Sequence, residues 1–221
     1  MNIIDIIGPV MIGPSSSHTA GAVRLGLLAA SILGARPVEA KISLHGSFAH
    51  TYRGHGTDLA LLAGLMGWLP DDARIPKARE FAKRKSLSFT FFKVNLGELT
   101  HPNTVVFELR SADGKHCEIM GSSIGGGQVK ISAIDGAEVE ISGRLPVLVI
   151  AHVDKPGVIA LVSGTLASAS VNIAAMRVFR ANKGGVATMV IECDQMVPPA
   201  IVQLIGSLDP VKNVRFVNSV L

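Results

Sequence analysis

VLVIAHVDKPGVIALVSGTLASASVNIAAMRVFRANKGGVATMVIEC is the sequence of residues 147–193, in which apolar runs alternate with turn residues. Runs rich in β-branched residues predict strands, and the longer apolar run after Gly157 predicts a helix. With the residues that follow, the pattern predicts strands at 147–152, 171–180, 186–193 and 213–220 and helices at 158–168 and 198–207. The order βαββαβ is that of the ferredoxin-like plan. We therefore expect a separate domain over residues 146–221.

Residues 1–145 carry a different pattern, which predicts an N-terminal α/β domain. Helices are expected at 18–33, 57–67 and 76–85, the last of them basic, and residues 45–57 are expected to be irregular. Gly34 ends the first helix, and Asp113-Gly114 is a hairpin signal. Strands are expected at 38–47, 87–96, 104–110, 116–120, 129–134 and 138–141. The whole chain is thus predicted to be α+β, with domains at 1–145 and 146–221.

Composition and charge limit the class of protein. Charged residues make up 17% of the 221 residues, against a norm of roughly 25%. No run approaches about 18 consecutive apolar residues, so no membrane span is expected. The net charge of +4 is concentrated in residues 71–85, and aromatic residues, 5% in all, do not interleave with basic ones as a nucleic-acid surface requires. The N-terminal residues lack the pattern of a signal peptide, which predicts a cytoplasmic location.

Gly13-Pro14-Ser15-Ser16-Ser17-His18-Thr19 is a dense polar cluster at the start of the first predicted helix. A helix N-terminus has free N–H groups and a partial positive charge, so the cluster predicts a carboxylate or phosphate site. The alternative is a helix cap, for which one hydroxyl suffices. A serine hydrolase is disfavoured, because the adjacent Ser17 and His18 are expected to point in different directions, whereas a triad needs them face to face.

The block from His45 to Asp58 contains three of the seven histidines. Their spacing of five places them on no common helical or strand face, so a zinc site is not expected. His55 beside Asp58 is a candidate general base with its orienting carboxylate, if the glycine-rich loop closes that way. The alternative is one buried structural histidine and two exposed ones. Residues 121–128 are also glycine-rich but lack the P-loop ending, and they predict a tight turn near a ligand or partner.

The C-terminal segment resembles an ACT domain, the small-ligand sensor attached to enzymes of amino-acid metabolism. In that family two copies often pair and an amino acid binds at their interface. The resemblance therefore implies homodimerisation through this domain and a regulatory ligand. The residues at the family's ligand-loop positions are Asp154, Pro156, Gly157, Asn172 and Ile173.

The N-terminal segment, and with it nearly the whole chain, resembles the beta chain of bacterial iron–sulfur L-serine dehydratase. The motifs that carry the resemblance are Ile7-Gly8-Pro9, residues 13–19, residues 45–58 and Ser123-Ile124-Gly125-Gly126-Gly127. That family converts L-serine to pyruvate and ammonia, a lyase reaction that serves gluconeogenesis. It uses a [4Fe–4S] cluster whose open iron acts as a Lewis acid.

The resemblance implies a division of labour between two chains. Cys117 and Cys193 are far apart and in no cluster spacing, so the cluster is expected in a separate alpha chain and no metal ligand is expected in this one. For this chain it implies the catalytic residues His18, His55 and Asp58 and the substrate-binding residues Ser15, Ser16, Ser17 and Thr19. The alternative function is a non-catalytic amino-acid-binding module, since similar domains bind regulatory ligands in some phosphoglycerate dehydrogenases.

Overall fold

The computed structural model describes residues 10–180 and 182–220 of the chain. The chain divides into two compact units, Met1–Gly136 and Ala137–Leu221. The predicted boundary lies a few residues further along, between 145 and 146, because the strand β6 (Ala137–Ile141) packs against strands of the second unit. Helices and strands occur in both units, so the α+β class is confirmed.

The first unit begins with a short π-helical turn at Ser16–Ala20, which continues directly into a helix. Its helices are α1 (Gly21–Leu33), α2 (Gly46–Thr51), α3 (Thr57–Leu65) and α4 (Ala78–Arg84), the last preceded by a 3-10 turn at Ile75–Lys77. Its strands are β1 (Pro37–His45), β2 (Ser88–Val94), β3 (Thr104–Ser111), β4 (His116–Gly125) and β5 (Gln128–Ile134). Gly34 ends α1 in the left-handed conformation, as expected.

The sheet of this unit places β2, β1, β3, β4 and β5 side by side in that order. Only the β1–β2 pair is parallel, and the other pairs named here are antiparallel. In β3, Val105, Phe107 and Leu109 are buried while Glu108 and Arg110 are exposed, the alternation of a sheet with one covered face. Helix α1 packs against β3, β4 and β5, and the core lies between them.

Helices α1 and α3 approach each other through two glycines. A Cβ atom added to Gly26 would lie 2.5 Å from the carbonyl oxygen of Leu61. A Cβ atom added to Gly64 would lie 2.0 Å from the carbonyl oxygen of Val23. Each helix therefore occupies the space that a side chain of the other would need, and this packing fixes the distance between the middle of α1 and the C-terminal end of α3.

Two local predictions for the first unit were wrong. The helix predicted at 18–33 is α-helical only from Gly21, because residues 16–20 form the π-helical turn, and serine hydroxyls that bond locally favour such departures from the α-helix. Residues 46–51, expected to be irregular, form α2. This helix buries Phe48 and Ala49, and Thr51 donates its hydroxyl to the carbonyl of Ser47 at 2.8 Å. A helix of six residues is too short to show a period in the sequence.

The second unit contains the predicted βαββαβ order after β6. Its elements are β7 (Val147–Val153), α5 (Val158–Ser168), β8 (Ile173–Arg180), β9 (Val186–Cys193), α6 (Pro199–Ser207) and β10 (Val211–Val217). The antiparallel sheet has the order β10-β7-β9-β8, and its core includes Leu148, Ile150, Val162 and Ile191. Strand β10 ends three residues earlier than predicted. Among the described residues, no helix of either unit is both long and apolar enough to span a membrane.

Candidate functional site

His18 is the centre of the candidate site in the first unit. It lies in the π-helical turn and is only 9% exposed. Its Nδ1 atom is 3.1 Å from the hydroxyl of Ser17 and 3.4 Å from that of Ser15, and its Nε2 atom is 3.2 Å from the hydroxyl of Ser47. The prediction that Ser17 and His18 point in different directions was therefore wrong, because the π-helical turn brings the two neighbouring side chains together.

This contact does not make a hydrolase triad. The group on the far side of the His18 ring is the hydroxyl of Ser47, whereas a triad requires a carboxylate there to orient and charge the imidazole. The serine-hydrolase alternative consequently gains no support from the contact between Ser17 and His18.

Two aromatic rings enclose His18. The Phe48 ring packs edge-on at 5.1 Å between centroids, and the His55 ring lies at 5.0 Å. Burial lowers the pKa of His18, and a positive charge on His55 lowers it further. His18 is thus favoured in its neutral form, in which one ring nitrogen donates a hydrogen bond and the other accepts one.

Four buried polar atoms around this centre have no hydrogen-bond partner within the described residues. They are Thr19 Oγ1, His55 Nδ1, Thr57 Oγ1 and Ser123 Oγ. They belong to elements that meet, because the π-helical turn contacts both α3, which Thr57 begins, and β4, which carries Ser123. An unsatisfied buried polar group costs about 1–3 kcal/mol. Unpaired buried polar groups on elements that meet are candidates for hydrogen bonds with a ligand or with buried water.

The serines before His18 have separate roles. The hydroxyl of Ser15 accepts a hydrogen bond from the His18 backbone N–H at 3.3 Å, which is the capping role considered as the alternative. Ser17 contacts the imidazole, and Ser16 accepts the Gly21 backbone N–H through its carbonyl. Thr19 contributes the unpartnered hydroxyl. The structure therefore brings Ser15, Ser17, His18 and Thr19 together at one site.

Asp58 does not form the predicted hydrogen bond with His55. Its Oδ2 atom accepts hydrogen bonds from Nε of Arg79 at 2.9 Å and from a terminal nitrogen of Arg79 at 2.5 Å. The Asp58 side chain is 7% exposed, so this buried carboxylate is committed to the guanidinium. The loop closes with the His55 ring toward His18, whereas Asp58, in the first turn of α3, faces α4. The sequence interpretation, in which Asp58 orients the His55 ring, is therefore corrected: the hydrogen bonds of Asp58 go to Arg79.

The glycine-rich segment forms the end of β4 and the turn into β5, in agreement with a tight turn. Gly125, Gly126 and Gly127 all have positive φ, and the Arg24 guanidinium donates to the carbonyl oxygen of Gly127 at 2.6 Å. Ser123 lies directly beneath the start of α1, since a Cβ added to Gly21 would fall 2.0 Å from its hydroxyl oxygen. This turn therefore borders the candidate site.

The residues of this chain do not fit as ligands of an iron–sulfur cluster. Cys117 and Cys193 are buried, form no disulfide and lie in different units. Burial raises the pKa of the Cys193 thiol to about 11, which disfavours the thiolate that binds iron. The described residues contain no group of three or more histidine, cysteine or acidic side chains able to hold a metal ion.

A second candidate site, in the other unit, is a cavity of about 390 Å³ at the loop before α5. Asp154 lies at its wall and accepts hydrogen bonds from Arg180 at 2.8 Å and from the Gly184 N–H at 3.1 Å. These bonds, the one from Arg180 foremost, lower the pKa of the Asp154 carboxyl. The lining residues are Asp154, Lys155, Pro156, Gly157, Ile159, Arg180, Lys183 and Gly184.

Asn172 and Ile173 stand apart from that cavity lining. The Asn172 carboxamide donates to Asp194 at 2.5 Å, and its backbone N–H donates to Gln195 at 3.4 Å. Ile173 packs against the core of the second unit. Of the predicted regulatory residues, the structure therefore brings together Asp154, Pro156 and Gly157.

Sequence reasoning missed four residues of the first site. Ser47, Thr57 and Ser123 lie inside motifs that were singled out, but nothing in their spacing marked them as members of the site. Arg79 lies in the basic helix predicted at residues 76–85, and its charge gave no sign that it belongs to the site. The motif Ile7-Gly8-Pro9 lies outside the described residues.

The chain is similar to known proteins over nearly its full length. A family model described as serine dehydratase beta chain matches residues 2–89, and one described as ACT domain matches residues 147–210. The chain is 42% identical over 207 residues to the probable L-serine dehydratase beta chain of Bacillus subtilis (strain 168), covering 94% of this chain and 93% of that protein. It is 36% identical over 213 residues to the L-serine dehydratase beta chain of Peptoniphilus asaccharolyticus, covering 96% of each.

A third match is shorter, and the matching protein has a different enzyme name. The chain is 34% identical over 107 residues to D-3-phosphoglycerate dehydrogenase of Methanocaldococcus jannaschii. The match covers 48% of this chain and 20% of that protein.

Proposed function

The chain belongs to the L-serine dehydratase beta-chain family, and from this premise we propose that it is the beta subunit of a two-chain enzyme that converts L-serine to pyruvate and ammonia. The observation that carries the proposal is the group of four unpartnered buried polar atoms around His18. L-serine offers a carboxylate, an ammonium group and a hydroxyl, and hydroxyl and imidazole groups can bond to all three.

The residues of this chain bind and orient the substrate and handle a proton. Thr19, Thr57 and Ser123 supply hydroxyls for the polar groups of L-serine. His55 is the candidate base for the α-proton, because its Nδ1 atom has no partner within the described residues while both nitrogens of His18 contact serine hydroxyls. His18 then acts as the fixed, neutral neighbour that orients the pocket.

The [4Fe–4S] cluster belongs to the proposed alpha chain. This chain has two buried thiols in separate units, so its share of the reaction is the substrate pocket, and the activation of the leaving hydroxyl is assigned to the partner. Two buried cysteines that form no disulfide also fit a reducing compartment, and we propose that the enzyme lies in the cytoplasm, where the pyruvate it forms can enter gluconeogenesis.

The second unit is proposed to regulate the enzyme. Its cavity joins Asp154, Pro156 and Gly157 to cationic side chains, and a small amino acid could bind there through its carboxylate. Two copies of the unit would pair so that the exposed edge strand β8 of one is covered by the other. Asn172 does not line the cavity of its own copy, so it would reach the ligand only from such a second copy.

Co-expression with a cysteine-rich alpha chain under anaerobic conditions tests the catalytic proposal. We expect pyruvate formation from L-serine with both chains and none with this chain alone. His18→Ala and His55→Ala should each lower turnover by at least about 100-fold, the usual contribution of a positioned acid–base group. His116→Ala is the matched control, because His116 is exposed at the start of β4. Full turnover in the His55→Ala enzyme would remove that residue from the reaction.

A non-catalytic amino-acid-binding module is the second candidate, and the similarity to part of a phosphoglycerate dehydrogenase favours it. It predicts that L-serine binds to this chain by itself and that no partner chain produces pyruvate. Calorimetry of the isolated chain combined with the co-expression assay separates the two functions.

A further inference from the structure

Asp58 and Arg79 form an ion pair in the first unit that the proposed reaction does not use, and its carboxylate is buried. Asp58 is nearly enclosed, and both of its hydrogen bonds from Arg79 reach the same carboxylate oxygen, Oδ2. A carboxylate held in this way is charge-compensated and occupied by its partner. It is therefore poorly placed to accept a proton from a substrate.

Arg79 is itself held from the opposite side. Its guanidinium carbon lies 5.7 Å from the centre of the Phe89 ring and 5.5 Å from that of Phe91, within the range of cation–π attraction. Both rings belong to β2, a strand of the sheet. Arg79 thus connects the sheet to the first turn of α3, through contacts on two sides of one planar group.

The segment anchored by this connection is the loop that carries His55. Gly54 and Gly56 flank His55, and Gly56 has a φ of +68°, so the chain there has little intrinsic preference for one conformation. Backbone hydrogen bonds hold the loop from the α2 side, where His55 N–H donates to Thr51 and Thr57 N–H to Tyr52. On the α3 side, the side-chain anchor is Asp58.

We propose that Arg79 is a positioning residue that, through Asp58, holds His55 against His18 in the geometry needed for catalysis. The expected effect on turnover rests on the proposed function, whereas the structural link from Arg79 to His55 does not. It reassigns Asp58 from a catalytic group to the link between Arg79 and the His55 loop. It also gives the basic helix α4 a function that its charge pattern did not indicate.

The kinetic test compares Asp58→Asn, Arg79→Gln and the double variant in the two-chain enzyme. We expect each single change to lower kcat by about 10- to 100-fold with little change in KM, since a misplacement of about 1 Å at a reacting group costs that much. The double variant should be no slower than the slower single variant, because both remove one link. Arg79→Lys should recover part of the loss. Arg84→Gln is the matched control, since Arg84 lies on the same helix and stacks on Phe81 instead.

A second measurement uses this chain alone and does not depend on turnover. Proton NMR of the histidine rings should show that Arg79→Gln shifts the His55 and His18 resonances and leaves that of His116 in place. Arg84→Gln should shift none of the three. If the wild-type two-chain enzyme does not act on serine, the proposed function fails while this measurement still tests the Arg79 link.

Three results would overturn the inference. They are unchanged kcat in Arg79→Gln, additive losses in the double variant, or histidine resonances of Arg79→Gln identical to those of the wild type. A fall in kcat that merely follows a loss of melting temperature, and that Arg79→Lys does not recover, would assign Arg79 to stability alone and would also overturn it.

Discussion

Replacing Gly64 with alanine should destabilise the first unit even though alanine is the better helix former. The new Cβ atom would lie 2.0 Å from the carbonyl oxygen of Val23 and 2.8 Å from Cα of Gly26. Ordinary contact begins at 3.4 Å, so α1 and α3 must separate by roughly 1.4 Å at this point. Both obstacles are backbone atoms, which a rotamer change cannot move away.

Two contributions of opposite sign set the size of the effect. Alanine gains about 1 kcal/mol over glycine in a helix interior, and at most that at Gly64, the last residue but one of α3. Overpacking costs about 1–3 kcal/mol, and the cost is higher where backbone must shift. Separation of the helices also loosens fully buried leucines such as Leu28 and Leu61. With the overpacking cost at its upper end, about 3 kcal/mol, and a helix gain of at most about 1 kcal/mol, we expect a net loss of about 2 kcal/mol from the free energy of unfolding.

Gly164→Ala is the matched control. Gly164 lies inside α5, and a Cβ atom there would meet nothing within 4 Å. The same substitution should then stabilise the second unit by about 0.4–1 kcal/mol, because only the conformational terms remain. The pair of variants separates helix propensity from close packing.

Guanidinium unfolding followed by tryptophan fluorescence is the assay. Trp68 is the single tryptophan and is 4% exposed, so its emission reports the unfolding of the first unit. Gly64→Ala should lower the guanidinium midpoint of the fluorescence transition. Gly164→Ala should leave that midpoint unchanged and raise the midpoint for the second unit, which is followed by circular dichroism. A midpoint for Gly64→Ala equal to or above that of the wild type would refute the close-packing argument.

Three further predictions concern single side chains. The pKa of His18 is lower in the folded than in the unfolded chain, so the free energy of unfolding does not depend on His18 protonation above about pH 6.5 and decreases at lower pH. The melting temperature of the wild type should therefore fall between pH 7.5 and 5.5, and that of His18→Gln should fall less. Cys193, with a thiol pKa of about 11, should react with a thiol reagent at pH 8 only after denaturant is added, and rapid labelling of the native chain would contradict its burial. Asp154→Ala should weaken the binding of an amino-acid effector in calorimetry while basal turnover stays unchanged, and equal heats for variant and wild type would place the effector elsewhere.

Most of the architecture followed from local pattern, and the exceptions have identifiable causes. The apolar, β-branched run at Val147–Val153 and the Asp113-Gly114 hairpin signal are short-range signals, and the strands they predicted are present. The π-helical turn was missed because its cause is a set of hydroxyl and imidazole contacts rather than a hydrophobic period. Helix α2 was missed because six residues hold less than two turns.

The site was predictable in part. Residues 15–19 share one turn, so their clustering could be read from the sequence. The contact between His18 and Ser47 spans 29 positions and that between Asp58 and Arg79 spans 21, and no local rule pairs them. His55 and Asp58 are close in sequence, and the expectation that they interact was wrong because the stronger partner of Asp58 comes from another helix.

The unpartnered polar atoms around His18 also bear on how this chain would respond to engineering. Replacing Thr57 by valine would keep the shape and remove a hydroxyl that is buried without a partner. Stability and recognition therefore pull in opposite directions at such positions. A library screened for heat resistance alone would collect apolar substitutions there, and its most robust members would be proteins that no longer recognise a ligand.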